Sequence, residues 1–304
     1  MDILITGHTG FIGQHMAERL KNHNLYFLEG DIRDFASVRD QVATAQPDVI
    51  VHLAARTEVE KSFYEQTEFS EVNYVGTVNL IEAARSAPDA HFVFASTMEV
   101  YGHQPQSDQV HSGQLVPGAK PQPFDEQTVP YPNAPYAVAK LGCEKYLEYA
   151  SRTYGMPYTI LRQTNTYGRK DNDFFVIEQI ITQMLQGDTV NLGYRLPWRN
   201  FLYIDDLLDA WELIITNPEK CRNRLYTLGP DNALPIWELA DMIGTKLGWT
   251  GTINWDTKPK RPGEIYYLGS THDLITQDLG WSPQVSLDRG LDLTIDHWRE
   301  KLAK

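Results

Sequence analysis

The chain opens MDILITGHTGFIG, an apolar run of strand length followed at once by Gly7, Gly10 and Gly13 and then by a run of helical period. That order restricts the fold more than any other feature of the sequence. A strand that passes through a glycine turn directly into a helix makes a tight βα unit. The first N–H groups of that helix are then free to receive an anion. Gly7 allows the tight turn, Gly10 lets the backbone approach a pyrophosphate, and Gly13 lets helix and strand pack closely. Phe11 and Ile12 lie between them at the helix N-terminus.

The alternation continues through the first half of the chain. DILIT (2–6), LYFLE (25–29), DVIVHLAA (48–55), HFVFAST (91–97) and YTILRQT (158–164) read as strands, and 11–22, 35–46, 72–86 and 136–154 as helices. Short, nearly all-apolar strands separated by helices imply an α/β fold, a parallel sheet covered on both faces. Beyond about residue 168 the pattern weakens. Helical periods recur at 174–186, 205–216 and 235–247, with one short strand pattern, RLYTLG (224–229). The expected organisation is a nucleotide-binding domain over 1–168, with returning segments near 198–229, and a smaller lobe over 169–304. A proline-rich stretch from His103 to Asn133 has little periodicity and is expected to be a long loop, which is usually functional or mobile.

Composition excludes several classes of function. The 304 residues carry a net charge of −13, which disfavours nucleic acid or an anionic membrane, since both need a basic face. No apolar run is long enough to span a bilayer, and the fold pattern begins at Asp2, which implies no leader segment. Cys143 and Cys221 lack metal-ligand spacing and are too few for a disulfide framework, so no metal is expected and the cytoplasm is the expected location. An anionic small ligand remains compatible, because a few placed arginines and helix N-termini suffice.

The second strand ends in a crowd of acids, Glu29, Asp31 and Asp34. The end of that strand lies beside the adenosine ribose in a dinucleotide site, where a carboxylate accepts hydrogen bonds from both hydroxyls. Glu29 is the better-placed candidate, and Asp31 and Ile32 follow closely enough to meet the ribose and the adenine edge. A carboxylate there repels a 2′-phosphate and favours NAD over NADP; Arg33 is the residue that points the other way.

YAVAK places Tyr136 and Lys140 four residues apart, on one helix face. An ammonium beside a phenol is expected to lower the phenol's pKa, so that a tyrosinate can take a proton from a substrate hydroxyl as hydride leaves the same carbon. STMEVYG (96–102) closes a strand where parallel sheets bind ligands. There Thr97 can hydrogen-bond the reacting oxygen, and Glu99 can act as acid or base.

TGHTGFIG, HLAA, VNYVGT, STMEVYG, YAVAK and RQTNTYG, in that order, resemble an extended short-chain dehydrogenase/reductase of the nucleotide-sugar epimerase/dehydratase group. The likeness covers nearly the whole chain and continues through WRNFLYIDDLLDA and RPGE (261–264). It implies a Rossmann-like, doubly wound sheet with a smaller C-terminal substrate-binding lobe. It also implies Tyr136 as catalytic base and acid, Lys140 as its partner and ribose anchor, and Thr97 as the hydroxyl that orients substrate. Leu53, Ala54 and Ala55 of HLAA would line the cofactor, and Asn165, Arg199 and Arg261 the sugar diphosphate. Asn73 would hold local geometry rather than do chemistry. The chain departs from the group in three places. The segment between Glu29 and Phe35 is short by one helix–strand unit. Met98 replaces an aspartate found in nucleotide-glucose 4,6-dehydratases. The 103–133 loop is longer than the fold requires.

The resemblance implies an NAD-dependent enzyme acting on a nucleotide-diphosphate sugar by transient oxidation at C4. Glu99 favours 4,6-dehydration, and Met98 keeps 4-epimerisation as the alternative. Reduction of a preformed 4-ketosugar and a non-catalytic NAD-binding regulator are further alternatives; the intact Thr97, Tyr136 and Lys140 oppose the last. Apolar residues beyond one core stripe on the helices at 72–86 and 136–154 (Val75, Leu141, Tyr146 and Leu147) suggest a homodimer, since relatives pair these helices.

Overall fold

A computed structural model describes residues 1–113 and 120–303. Its first half runs β1 (Asp2–Thr6), α1 (Phe11–Arg19), β2 (Asn24–Phe27), α2 (Phe35–Ala45) and β3 (Val49–His52). Two short helices, α3 (Val59–Ser62) and α4 (Gln66–Ser70), lead through a π-helical turn, Glu71–Val75, into α5 (Gly76–Ala83). Next come β4 (His91–Thr97), α6 (Pro105–Ser112), α7 (Pro135–Tyr154), β5 (Tyr158–Gln163) and β6 (Asn165–Tyr167). The second half holds α8 (Val176–Gln186), β7 (Thr189–Asn191), β8 (Trp198–Arg199), β9 (Phe201–Tyr203), α9 (Ile204–Thr216) and α10 (Pro218–Cys221). It continues through β10 (Arg224–Leu228), β11 (Leu234–Pro235), α11 (Ile236–Leu247), β12 (Thr252–Asn254), β13 (Tyr267–Leu268), α12 (Asp273–Leu279) and α13 (Leu287–Leu302).

Six strands form one parallel sheet in the order β10-β5-β4-β3-β1-β2. The order reverses between β1 and β3, the switch point of a doubly wound fold. β2 is the edge strand, so the helix–strand unit that the short 29–35 connection lacks has no counterpart in the sheet. The period of two along each strand divides the core. Ile3, Ile5, Val49, Val51, Val93 and Leu161 face one helical layer, which includes α8, α9, α11 and α13. Leu4, Ile50, Phe92, Phe94 and Ile160 face the layer of α2, α5 and α7.

Several elements differ from the sequence expectation. The second strand stops at Phe27, so Leu28 and Glu29 lie past it. The 72–86 helix is a π turn, an α segment and a 3₁₀ turn in succession. The stretch from His103 to Asn133 is not all loop: Pro105 sits at the start of α6, where its missing N–H costs nothing. Residues 114–119 of that stretch lie outside the described residues. Val110 and Phe124 of this strap pack with Met98, Tyr101 and Ile265–Leu268 in a third apolar cluster, while Val129 and Tyr131 stay exposed. Leu147 is buried in the core under α7 rather than on its outer face.

Helix α7 is fastened to the sheet by a buried ion pair. Arg162 of β5 donates to both carboxylate oxygens of Glu144, at 3.1 and 2.7 Å, and Ser96 of β4 donates a third bond at 2.5 Å. Removing one partner of such a pair strands the other charge in the core. Arg162→Met is therefore expected to cost about 3–5 kcal/mol in urea unfolding, and the double change Glu144→Gln/Arg162→Met clearly less. A single variant as stable as wild type would overturn this account.

Candidate active site

The C-terminal ends of β1, β3, β4 and β5 open into a cleft of about 1230 Å³, larger than a site for one small molecule needs. Its floor begins at the glycine turn. Gly7 has φ +70°, and a Cβ there would come 2.7 Å from the Ala54 nitrogen. A Cβ on Gly13 would collide with the Gly7 carbonyl oxygen, whereas one on Gly10 would meet only that oxygen, at 3.3 Å. Gly10 is the N-cap of α1 and supplies no side-chain cap, so the first N–H groups of the helix, Phe11 and Ile12 included, stay free. A backbone cradle open at Gly10 and closed at Gly7 and Gly13 fits a dinucleotide pyrophosphate. Leu53, Ala54 and Ala55 form the adjacent wall.

At the edge of the sheet the acids behave differently from one another. Glu29 is exposed, with its carboxylate 3.5 Å from His8. Asp31 is gripped by Arg33, whose side-chain bonds pull the Asp31 carboxyl down to about 2. The same guanidinium reaches Glu68 at 3.1 Å and Glu71 at 3.5 Å. Arg33 thus faces three carboxylates. Ile32 is buried against Gly76, where any side chain would strike it. This is the packing reason for the glycine in VNYVGT.

Further along the cleft stand Thr97, Glu99, Tyr136 and Lys140. The α7 helix starts at Pro135, so Tyr136 and Lys140 occupy its first two turns, on the face toward β4. Lys140 donates to the Ala95 carbonyl at 2.8 Å and lies over the Phe94 ring, and burial lowers its pKa to about 8. The expected effect of Lys140 on Tyr136 is corrected by this geometry. The Tyr136 phenol is pushed up, by burial and then by the Glu99 charge, with only the Thr97 hydroxyl pulling it down. One of the three ammonium donors is used on the Ala95 carbonyl, and the positive ring of NAD⁺ would add a charge that lowers the phenol. The Glu99 carboxyl is raised by burial, while Arg199 and Arg261 draw it down and Glu264 pushes it up.

Arg199 donates to the Trp198 carbonyl at 2.8 Å and lies 3.8 Å from Glu264. Asn165 donates to the Asn200 carbonyl at 3.2 Å. The structure brings Asn165, Arg199 and Arg261 to the same cleft as the YAVAK pair. Asn73 lies behind it, exchanging two hydrogen bonds with the Arg56 backbone at 2.8 and 2.9 Å while its own carbonyl accepts from Cys143 of α7. Sequence reasoning missed Lys170, Glu178, Lys258, Lys260 and Glu264, all of which line the cleft. The RPGE motif carried a signal for Glu264; Lys170 and Glu178 had none.

The model of the NAD dependent epimerase/dehydratase family matches residues 3–229. A dTDP-D-glucose 4,6-dehydratase of Bos taurus is 28% identical over 333 residues, covering 98% of this chain and 88% of the relative. Among solved structures, UDP-glucose 4-epimerase of Thermotoga maritima with UDP-glucose superposes with a TM-score of 0.88 at 28% identity, covering 99% of this chain and 100% of that one. The dTDP-glucose 4,6-dehydratase of Streptomyces venezuelae with NAD bound gives 0.85 at 26%, covering 100% and 98%.

Arg33 is paired with three carboxylates, so among the described residues it does not offer a 2′-phosphate an unpaired cation. NAD should bind at least about tenfold more tightly than NADP, a difference on the order of 1.4 kcal/mol. Titration of both cofactors checks this. Equal affinities, with NADP binding lost in Arg33→Ala, would transfer the role to Arg33.

Proposed function

The chain belongs to the NAD-dependent epimerase/dehydratase family, and from that premise we propose that it oxidises a nucleotide-diphosphate sugar transiently at C4 and carries out 4,6-dehydration. The observation that carries this reading is the meeting of Thr97, Glu99, Tyr136 and Lys140 in one cleft with Arg199 and Arg261. NAD, when bound, accepts hydride from C4 and later returns it. Gly7, Gly10, Gly13, Phe11 and Ile12 would hold its pyrophosphate, and Glu29 and Asp31 its adenosine ribose. Ile32 would meet the adenine, Leu53, Ala54 and Ala55 form the wall, and Tyr136 and Lys140 hold the second ribose.

Tyr136 takes the proton of the C4 hydroxyl, which Thr97 orients. Arg199, Arg261 and Asn165 hold the diphosphate, guanidinium forks being suited to it. The C4 ketone acidifies the neighbouring C5–H. Glu99, its carboxyl raised by burial, removes that proton and passes it to the departing C6 hydroxyl, which leaves as water. With hydride supplied back at C6 by the bound cofactor, C5 would take a proton from solvent that matches the one Tyr136 removed from O4. In this reading residues 1–168, with returning segments near 198–229, serve the cofactor and 169–304 the sugar nucleotide. Support comes from β10, which returns from the second half to the edge of the main sheet.

One observation favours 4-epimerisation instead. Met98 is buried and apolar, so the STMEVYG motif offers no second acid beside Glu99. The two reactions part at C5, which an epimerase never touches. Incubation with dTDP- and UDP-glucose and NAD⁺ in deuterated water should give a 4-keto-6-deoxysugar labelled at C5. Glu99→Gln should block water loss, and Tyr136→Phe should lower turnover by about 10²-fold or more while NAD still binds. Turnover without label at C5 leaves epimerisation, and wild-type rates in Tyr136→Phe overturn the mechanism.

The two cysteines are free and buried, which fits a reducing cytoplasm. Tyr74, Val75, Val138 and Tyr149 are exposed on the π turn and α7, with Val138 at 55%, and fit an isologous homodimer built on these helices. Light scattering at micromolar concentration should give the mass of two chains; a monomer mass would refute the dimer.

A further inference from the structure

Lys170 and Glu178 form a buried pair that no step above uses. Their side chains are 3% and 0% exposed, yet the lysine nitrogen stands 3.5 Å from the nearer carboxylate oxygen, too far for a good charge-assisted hydrogen bond. Neither oxygen of Glu178 has a hydrogen-bond partner of good geometry among the described residues, although the Glu178 and Gly168 backbone amides lie close enough to draw its carboxyl down. The ammonium lies instead 3.9 Å from the centre of the Phe175 ring and 5.1 Å from that of Phe11. Both residues of the pair line the cleft. Burying two ions is unfavourable unless further bonds satisfy them, and burial accordingly lowers the Lys170 pKa and raises that of Glu178. A loosely held pair facing a cleft is one that a ligand can complete. Phe11 indicates which ligand, because it is the first residue of α1, the uncapped helix N-terminus that awaits an anion.

On the reading that this cleft holds NAD, we propose that Lys170 is the cation for the cofactor's pyrophosphate, kept in reserve by Glu178 and handed over when the cofactor binds. Glu178, left buried without a cation, then takes up a proton and becomes a neutral acid. The other ionisable groups around the pair are already engaged. His297 of α13 donates to the Lys170 carbonyl, and His15 of α1 meets the Phe11 carbonyl. Asp171 is paired with Lys301 and Arg169 with Asp205. Asp206 accepts from the Gln284 and Val285 backbone, and burial keeps the Tyr167 phenol protonated. Glu178 is the group among them that loses its cation in this exchange.

Calorimetric titration with NAD⁺, ADP and adenosine near neutral pH, in buffers of different ionisation heat, tests the exchange. Wild type should take up as much as about one proton per NAD⁺ bound, and Glu178→Gln should abolish that uptake without weakening binding. Lys170→Met should weaken NAD⁺ and ADP at least about tenfold and leave adenosine unchanged, with Lys170→Arg restoring part of the loss. If Lys170→Met fails to fold, Lys170→Met/Glu178→Gln removes both buried charges and must show the same selective loss. Binding of NAD⁺ without proton uptake, or phosphate-independent effects of the lysine variants, would overturn this proposal and leave the cofactor reading intact. A wild-type chain that binds no NAD⁺ would overturn both.

Discussion

The carboxylate of Glu144, closed off from water and held by Arg162 and Ser96, fixes where the chemistry can occur. Arg162 lies on β5, Ser96 adjoins Thr97 on β4, and Glu144 sits one turn beyond Lys140 on α7. One ion pair therefore sets the distance between the strand end that carries Thr97 and Glu99 and the helix that carries Tyr136 and Lys140. Such a pair contributes little net stability over an apolar isostere, but its fork geometry permits one register. The Lys140 bond to the Ala95 carbonyl repeats the constraint a turn earlier. Precision in the cleft is thus inherited from the core beneath it.

An acidic molecule still places cations at this site. The chain carries a net charge of −13, and Lys140, Lys170, Arg199, Lys258, Lys260 and Arg261 line the cleft beside the acids Glu99, Glu178 and Glu264. An acidic surface discourages polyanions, which need an extended basic face, while a few placed cations suit a compact diphosphate. The adenosine edge is acidic. Arg33 is enclosed by Asp31, Glu68 and Glu71, so a cation that sequence alone leaves available is already used.

What the sequence revealed followed from short-range rules. The glycine turn, the apolar strands and the i,i+4 pair in YAVAK are local patterns, and the sheet, its winding and the cleft follow from them. What it concealed depends on tertiary partners. Lys140 was expected to lower the Tyr136 phenol, but burial and the Glu99 charge push that phenol up, and the lysine donates one bond to a carbonyl on another element. Lys170 and Glu178 sit in segments with no motif, and only folding turns their side chains toward Phe11 and the cleft. The strap at 103–133 gave no periodic signal because α6 is short and contributes only Ser107 and Val110 to the buried interior. Its anchoring contact, the Ser107 hydroxyl accepting from the Tyr266 amide, joins residues 159 apart in the chain.

That strap bears on the choice of reaction. Met98 packs with Val110, Phe124 and Ile265–Leu268, so an aspartate at this position would place a charge inside the cluster that seats β13. The loss of an acid at 98 and the long strap are two sides of one packing solution. Glu99 is then the single acid of its motif, and its ionisation rests on opposed influences: burial raises it, while Arg199 and Arg261 hold it down. Arg199 lies on β8, which pairs with β13, and Arg261 lies in the segment leading to β13. The same apolar cluster that excludes the aspartate thus seats the strand that aligns both arginines. On the dehydration reading, a carboxylate poised in this way takes the proton from C5, the step that separates dehydration from epimerisation.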